Sequence, residues 1–249
     1  MATKYSLLLR NQSLEDFDFV CYRAYSCVAG PYLQDQGVPD AHSEYAPDLR
    51  SLAWFSRRLR PFARLQFDWR PSCSFLWAQT AALSPGSVVF PSQMHPADIY
   101  MANSVDLTRS WGGQFRLEEP VARDPDGGLS VRVSKRVREG KAVVGLAMSG
   151  VCSVVAPAMP GSELSLRPDP VYWLAVGRYR PGEVLDPARV ANPVEVRFPP
   201  GVRDMVVPVD AVGQWMVEPA DPAWGGCGED PVLFPKTAPA SMRRHGAEA

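Results

Sequence analysis

The stretch Ser74-Phe75-Leu76-Trp77-Ala78-Gln79-Thr80-Ala81-Ala82-Leu83-Ser84-Pro85-Gly86-Ser87-Val88-Val89-Phe90 decides the class of fold. It opens with a short aromatic-rich run, reaches a Pro-Gly turn and resumes in a β-branched run, the pattern of strand, turn and strand. The pattern returns later in the chain. Trp77 is followed eight residues later by Pro85-Gly86 and then Val88; Trp173, 96 residues on, is followed eight residues later by Pro181-Gly182 and then Val184. Upstream, Leu65-x-Phe67 precedes Pro71 and Phe75, and Leu164-x-Leu166 precedes Pro168 and Tyr172. Leu52-Ala53-Trp54 has a looser counterpart in Leu146-Ala147-Met148. A repeat this long reads as a duplicated domain and not a solenoid, the alternative being that aromatic strands ending in Pro-Gly turns recur by chance.

Strand periodicity extends outward on both sides. Residues 5–9 and 16–22 flank the polar Asn11-Gln12-Ser13, as in a hairpin, with Phe17, Phe19 and Cys21 on one face and Asp16 and Asp18 on the other. Further strands are expected at 52–55, 64–69, 74–78, 87–90, 104–107, 113–117, 129–133, 143–148, 164–166, 172–176, 194–198, 205–209 and 214–217. Residues 24–48 hold Gly30-Pro31, Gly37-Val38-Pro39 and Ala46-Pro47, and read as a long loop, either inserted or functional. The 25 prolines are about twice ordinary usage and exclude long helices. The expected fold is all-β: an antiparallel β-sandwich built from two similar, duplicated halves, 1–108 and 109–217. Residues 218–249 lose the pattern and are expected to form a flexible or docking tail, with Trp224 and Val232-Leu233-Phe234 as its sizeable apolar groups.

Composition narrows the function. The chain has 249 residues, 46% of them hydrophobic, and a formal net charge of −1. That balance speaks against a general electrostatic grip on nucleic acid or anionic lipid. The N-terminal apolar run stops at Arg10, too short for a secretory signal, and no stretch is long enough to span a membrane. Five scattered cysteines without a Cys-x-x-Cys pair read as reduced, mostly buried thiols, so the expected location is the cytoplasm.

Ser51-Leu52-Ala53-Trp54-Phe55-Ser56, Phe67-Asp68-Trp69, Phe75-Leu76-Trp77-Ala78-Gln79-Thr80 and Leu83-Ser84-Pro85-Gly86 resemble the rhizosphere-induced RhiA-type bacterial proteins. So do Asn103-Ser104-Val105-Asp106-Leu107-Thr108, Val144-Gly145-Leu146-Ala147-Met148-Ser149-Gly150 and Gly182-Glu183-Val184-Leu185-Asp186. The resemblance runs in order through residues 4–217. It implies a cytoplasmic protein made under cell-density control in a plant-associated bacterium, and it carries no catalytic residue to this chain. The long loop around Tyr32–Tyr45, the basic Arg57-Arg58-Leu59-Arg60 and the tail depart from the family pattern.

Chemistry-bearing groups are few. Ser92, His95 and Asp98 are spaced for one helical face, but Pro91 and Pro96 oppose a helix, and triads gather from distant segments. No nucleophile-elbow, phosphate-loop or dinucleotide motif occurs. Asp124-Pro125-Asp126-Gly127-Gly128 reads as a plain turn, short of the oxygen ligands of a calcium loop. No metal or cofactor is therefore expected. Arg132, Lys135, Arg136 and Arg138 form a basic run that could bind an anion or serve as a solvated face. Trp54, Trp69, Trp77 and Trp173 belong on buried strand faces; Trp111 and Trp224, beside glycines, are the candidates for exposed ligand contact. The expected function is non-enzymatic, through binding or through self-association at sheet edges or by the tail. A carbohydrate-binding module with glycan ligands is the alternative, and a hydrolase using His95 or His42 the third.

Overall fold

The computed structural model describes residues 4–23, 26–31, 48–79, 83–123, 128–167 and 171–220, with backbone alone for 26–31. The first series of strands is β1 (Tyr5–Asn11), β2 (Phe17–Tyr22), β3 (Ser26–Pro31), β4 (Arg50–Ser51), β5 (Phe55–Leu59), β6 (Arg64–Trp69), β7 (Cys73–Ala78), β8 (Gln93–Ala97), β9 (Ser104–Arg109) and β10 (Phe115–Leu117). The second is β11 (Leu129–Val133), β12 (Val143–Met148), β13 (Val151–Pro157), β14 (Ser162–Arg167), β15 (Val171–Val176), β16 (Ala191–Arg197), β17 (Asp204–Val209) and β18 (Glu218–Pro219). The protein is all-β, as its periodicity requires.

Among the described residues the strands form four sheets, in the orders β18-β17-β1-β6, β16-β15-β2-β5, β10-β9-β11-β14-β3 and β4-β13-β12-β7-β8. The first two enclose one core, built from Leu7, Leu9, Phe67, Trp69 and Val207 on one side and Phe19, Cys21, Tyr172, Leu174 and Val196 on the other. The third and fourth enclose another, from Leu107, Val131, Val133, Leu164 and Leu166 against Phe75, Trp77, Val144, Leu146 and Val154. Each such side chain, taken from water, contributes about 1.5–3 kcal/mol.

Two long connections fill the space between these units. Residues 83–92 and 177–190 carry the two Pro-Gly turns, and these turns bond to each other: Gly86 N–H to Val184 O (2.9 Å), Val184 N–H to Ser87 O (2.8 Å) and Val89 N–H to Gly182 O (2.9 Å). Both glycines have positive φ, 86° and 81°, which the turns require. With Leu52, Val89 and Val184 over its outer face, the fourth sheet is covered on both sides. All six residues of β12 are accordingly buried.

Several expectations are corrected. Every sheet draws strands from both sides of residues 108/109, so 1–108 and 109–217 are not separate sandwich halves. The pairing is mixed: β1 runs parallel to β17, and β11 parallel to β9. Leu146-Ala147-Met148 ends β12, whereas Leu52-Ala53-Trp54 precedes β5, so these are not counterparts. Trp77 and Trp173 lie on corresponding strands but opposite faces. Trp77 points into a core with Phe75, whereas Tyr172 and Leu174 take the inward positions on β15 and Trp173 stacks outside on Tyr22. A one-residue offset suffices, because strand side chains alternate. The loop expected at 24–48 contains β3, which edges the third sheet; its remaining residues before 48 lie outside the described ones, as does the tail from 221.

The strand orders correspond pairwise. Replace β1, β6, β17 and β18 of the first sheet by β11, β14, β9 and β10, and the third sheet results, with β3 added. The same exchange turns the second sheet into the fourth, with β4 added. Residue register follows: Leu7 stands between Met205 and Phe67, as Val131 stands between Val105 and Leu164.

Candidate functional site

The hairpin joining β9 to β10 carries Ser110-Trp111-Gly112-Gly113-Gln114. Ser110 N–H donates to Gln114 O (2.9 Å), Gly113 N–H to Ser110 O (3.0 Å), and Gln114 N–H to the Ser110 hydroxyl (3.2 Å). Gly113, at φ 87°, supplies the left-handed residue that closes the turn. Trp111 is 93% exposed at its tip.

One cation stacks on that indole and another borders its turn. The Arg136 guanidinium carbon lies 4.6 Å from the ring centroid of Trp111, within cation–π range. Arg109 is held beside the turn by its Nε–H donating to Gly113 O (3.2 Å). β11 runs parallel to β9, so its continuation Ser134–Arg138 emerges at the same end, with Ser134 N–H bonded to Leu107 O. Val137 is buried there and pins the segment, turning Lys135, Arg136 and Arg138 outward. Lys135 lays its stem against Gly161. Arg132 is placed differently: its Nε lies 3.2 Å from Glu163 on the neighbouring β14. The structure thus brings Trp111 and Arg136 together, sets Lys135 and Arg138 on the same segment, and engages Arg132 with a carboxylate. Trp224 lies outside the described residues.

The turn between β17 and β18 is a second copy. Asp210 N–H donates to Gln214 O (3.0 Å), Gly213 N–H to Asp210 O (3.1 Å), and Gln214 N–H to the Asp210 carboxylate (2.8 Å), with Gly213 at φ 79°. Ala211 stands where the first copy has Trp111. The sequence signal is Gly113-Gln114-Phe115-x-Leu117-Glu118 against Gly213-Gln214-Trp215-x-Val217-Glu218, 100 residues apart. It is a clearer repeat than the Trp-Pro-Gly pattern, and it marks the candidate site.

The other candidates do not assemble. His95 is on β8, with Nε2 2.8 Å from the Gln93 amide nitrogen and Nδ1 3.8 Å from Glu119. The Ser92 hydroxyl accepts from Gln79 N–H, and Asp98 accepts from Tyr100 and Met101 N–H. On an extended strand, residues three apart are about 10 Å apart, so the three form no triad. His42 and residues 124–127 lie outside the described residues, among which no three His, Cys, Asp or Glu side chains group as metal ligands. Cys21 and Cys152 are buried, which pushes both thiols up to about 12. No helix among the described residues is long and apolar enough to cross a membrane.

The RhiA family model matches residues 2–220. This chain belongs to the RhiA family. Protein RhiA of Rhizobium leguminosarum bv. viciae is similar to it, 29% identical over 221 residues that cover 88% of this chain and 87% of that protein. No solved structure matches. The RhiA match takes in the eighteen strands of the described residues and the Trp111 turn, and ends before Trp224.

Proposed function

We propose that this RhiA-family protein is a non-enzymatic binding protein whose recognition surface is the Trp111 turn with Arg109, Lys135, Arg136 and Arg138. The observation carrying the reading is the contrast between the two turns. Ala211 occupies the same hydrogen-bonded frame as Trp111, so folding does not demand the indole, yet it stands 93% exposed beside a guanidinium. An exposed aromatic ring beside a guanidinium, with further cations on the adjoining segment, suits a ligand with a stacking surface and an anionic group, such as an acidic sugar. That joins the carbohydrate reading to the anion-binding one.

Self-association through sheet edges has support at few edges. Of the eight edge strands among the described residues, β4 and β18 have two residues and β10 three, β8 and β16 contain Pro96 and Pro193, and β3, β5 and β6 are the longer ones. Short strands and prolines blunt edges against further pairing. We also infer that β1, β2 and β5–β10 form one ancestral β-sandwich unit and β11–β18 its duplicate, each sandwich combining the early strands of one with the late strands of the other. A cytoplasmic role in cell-density-regulated or host-associated life follows from the family resemblance.

Affinity electrophoresis through polygalacturonate, neutral dextran and single-stranded DNA tests the binding reading. Retardation by polygalacturonate alone is expected, lost in Trp111→Ala and reduced in Arg136→Gln. Trp111→Ala should leave stability within about 0.5 kcal/mol, since an exposed side chain is removed. Retardation that Trp111→Ala leaves intact would move the site elsewhere.

A further inference from the structure

The opposite sandwich ends in three turns whose tips are apolar. Leu14, Phe62 and Val212 are 81%, 67% and 79% exposed. They belong to one assembly. The buried Asn11 amide donates to Glu15 O (2.6 Å), Leu59 O (3.2 Å) and Arg60 O (3.0 Å). Asn11 N–H donates to Ala63 O and Gln12 N–H to Val209 O, tying the turns after β1, β5 and β17 together.

Phe62 is strained. Its φ is 59°, in the left-handed region that side chains with a Cβ avoid at about 1–2 kcal/mol. Arg60-Pro61-Phe62-Ala63 is a turn closed by Ala63 N–H to Arg60 O (3.1 Å). The corresponding turn between β13 and β14, Met159-Pro160-Gly161-Ser162, closes by Ser162 N–H to Met159 O (3.2 Å) and places Gly161 at φ 72°. The same geometry is thus met without strain by glycine. Phe62 accepts an unfavourable backbone and also exposes its phenyl to water. Leu14 and Val212 likewise stand where the other end has the exposed Arg138 and Gly112. Among the described residues nothing repays either cost.

We propose that this end of the molecule docks on a lipid surface, with Leu14, Phe62 and Val212 entering the boundary between headgroups and acyl chains and Arg60 and Arg64 meeting lipid phosphates. Three separate convex tips suit a deformable layer better than a flat protein partner. The charges agree locally, although the net charge is −1. Arg60 and Arg64 flank Phe62 and are exposed. Arg58 pairs with Asp16 at 2.6 Å, Asp210 accepts from the N–H groups of its own turn, and Glu15 is exposed beside Leu14. The proposal is independent of the Trp111 surface.

Co-sedimentation of the full chain with phosphatidylcholine vesicles, with and without phosphatidylglycerol, tests it. Binding is expected to favour the anionic vesicles and to fall about tenfold or more in Phe62→Gly, while that variant's urea midpoint holds or rises. Replacing Arg60 and Arg64 by Gln should abolish the preference for phosphatidylglycerol. The proposal is overturned if neither vesicle binds, or if Phe62→Gly binds like the parent. It is also overturned if sedimentation equilibrium shows a dimer that Phe62→Gly dissociates, which would assign the tips to a second copy.

Discussion

Trp54 lies where the two sandwiches meet. It is buried, its ring packs edge-on against Trp69 at 5.4 Å, and its indole N–H donates to Met148 O at 3.0 Å, a carbonyl of the other unit's β12. Trp54→Ala should cost about 3–5 kcal/mol, and Trp54→Phe about 1–3 kcal/mol through the lost bond; urea unfolding measures both. Cys21 supplies a second test at this scale. Burial pushes its thiol up to about 12, so the native protein keeps it protonated while the unfolded chain ionises it near ~8.5. A folded value above the unfolded one gives stability that is full below the unfolded value and declines as pH rises towards 12. The urea midpoint should therefore fall between about pH 9 and 11, and fall less steeply in Cys21→Ala. Iodoacetamide should label Cys21 only in denaturant.

β12 depends on a close approach. A Cβ on Gly145 would meet the Val154 carbonyl oxygen and lie 2.8 Å from Val155 Cα, both backbone atoms of the adjoining β13. Neither can yield without opening the ladder. Gly145→Ala is expected to destabilise by about 3 kcal/mol or more, read as loss of soluble protein or a lowered melting temperature. The sequence revealed β12 through its run of small and branched residues, and β7 through Phe75 and Trp77 before a Pro-Gly turn. It concealed β8, because Pro96 argues against a strand unless that strand lies at an edge, as this one does. It misplaced Trp173, because alternation leaves open which face is inward when both are apolar. Trp111 was legible from its glycine neighbours. Phe62 was not: Pro61-Phe62 gives no sign of a positive φ, which emerges only beside Gly161 in the matching turn.

At the scale of the molecule, three residues, Arg70-Pro71-Ser72, carry the chain from β6 in one core to β7 in the other. So short a proline-bearing segment leaves little length for β7 to turn back over the core that β6 has entered, and short hinges favour exchange between equivalent units. Fragments 1–123 and 124–249 should each lack near-ultraviolet circular dichroism when made alone, and should copurify with native-like signal when produced together. A fragment that folds by itself as a monomer would count against the interlocked arrangement.

The parallel pairing of β1 with β17 has a consequence for synthesis. Asp204–Val209 leave the ribosome almost two hundred residues after their partners, Tyr5–Asn11. At about 5–20 residues per second, the N-terminal ribbon waits roughly 10–40 s with one flank open. During that interval β6 guards one flank of β1, and β2 and β5 face Leu7 and Leu9 across the core, while the flank meant for β17 lies open to neighbours on the polysome.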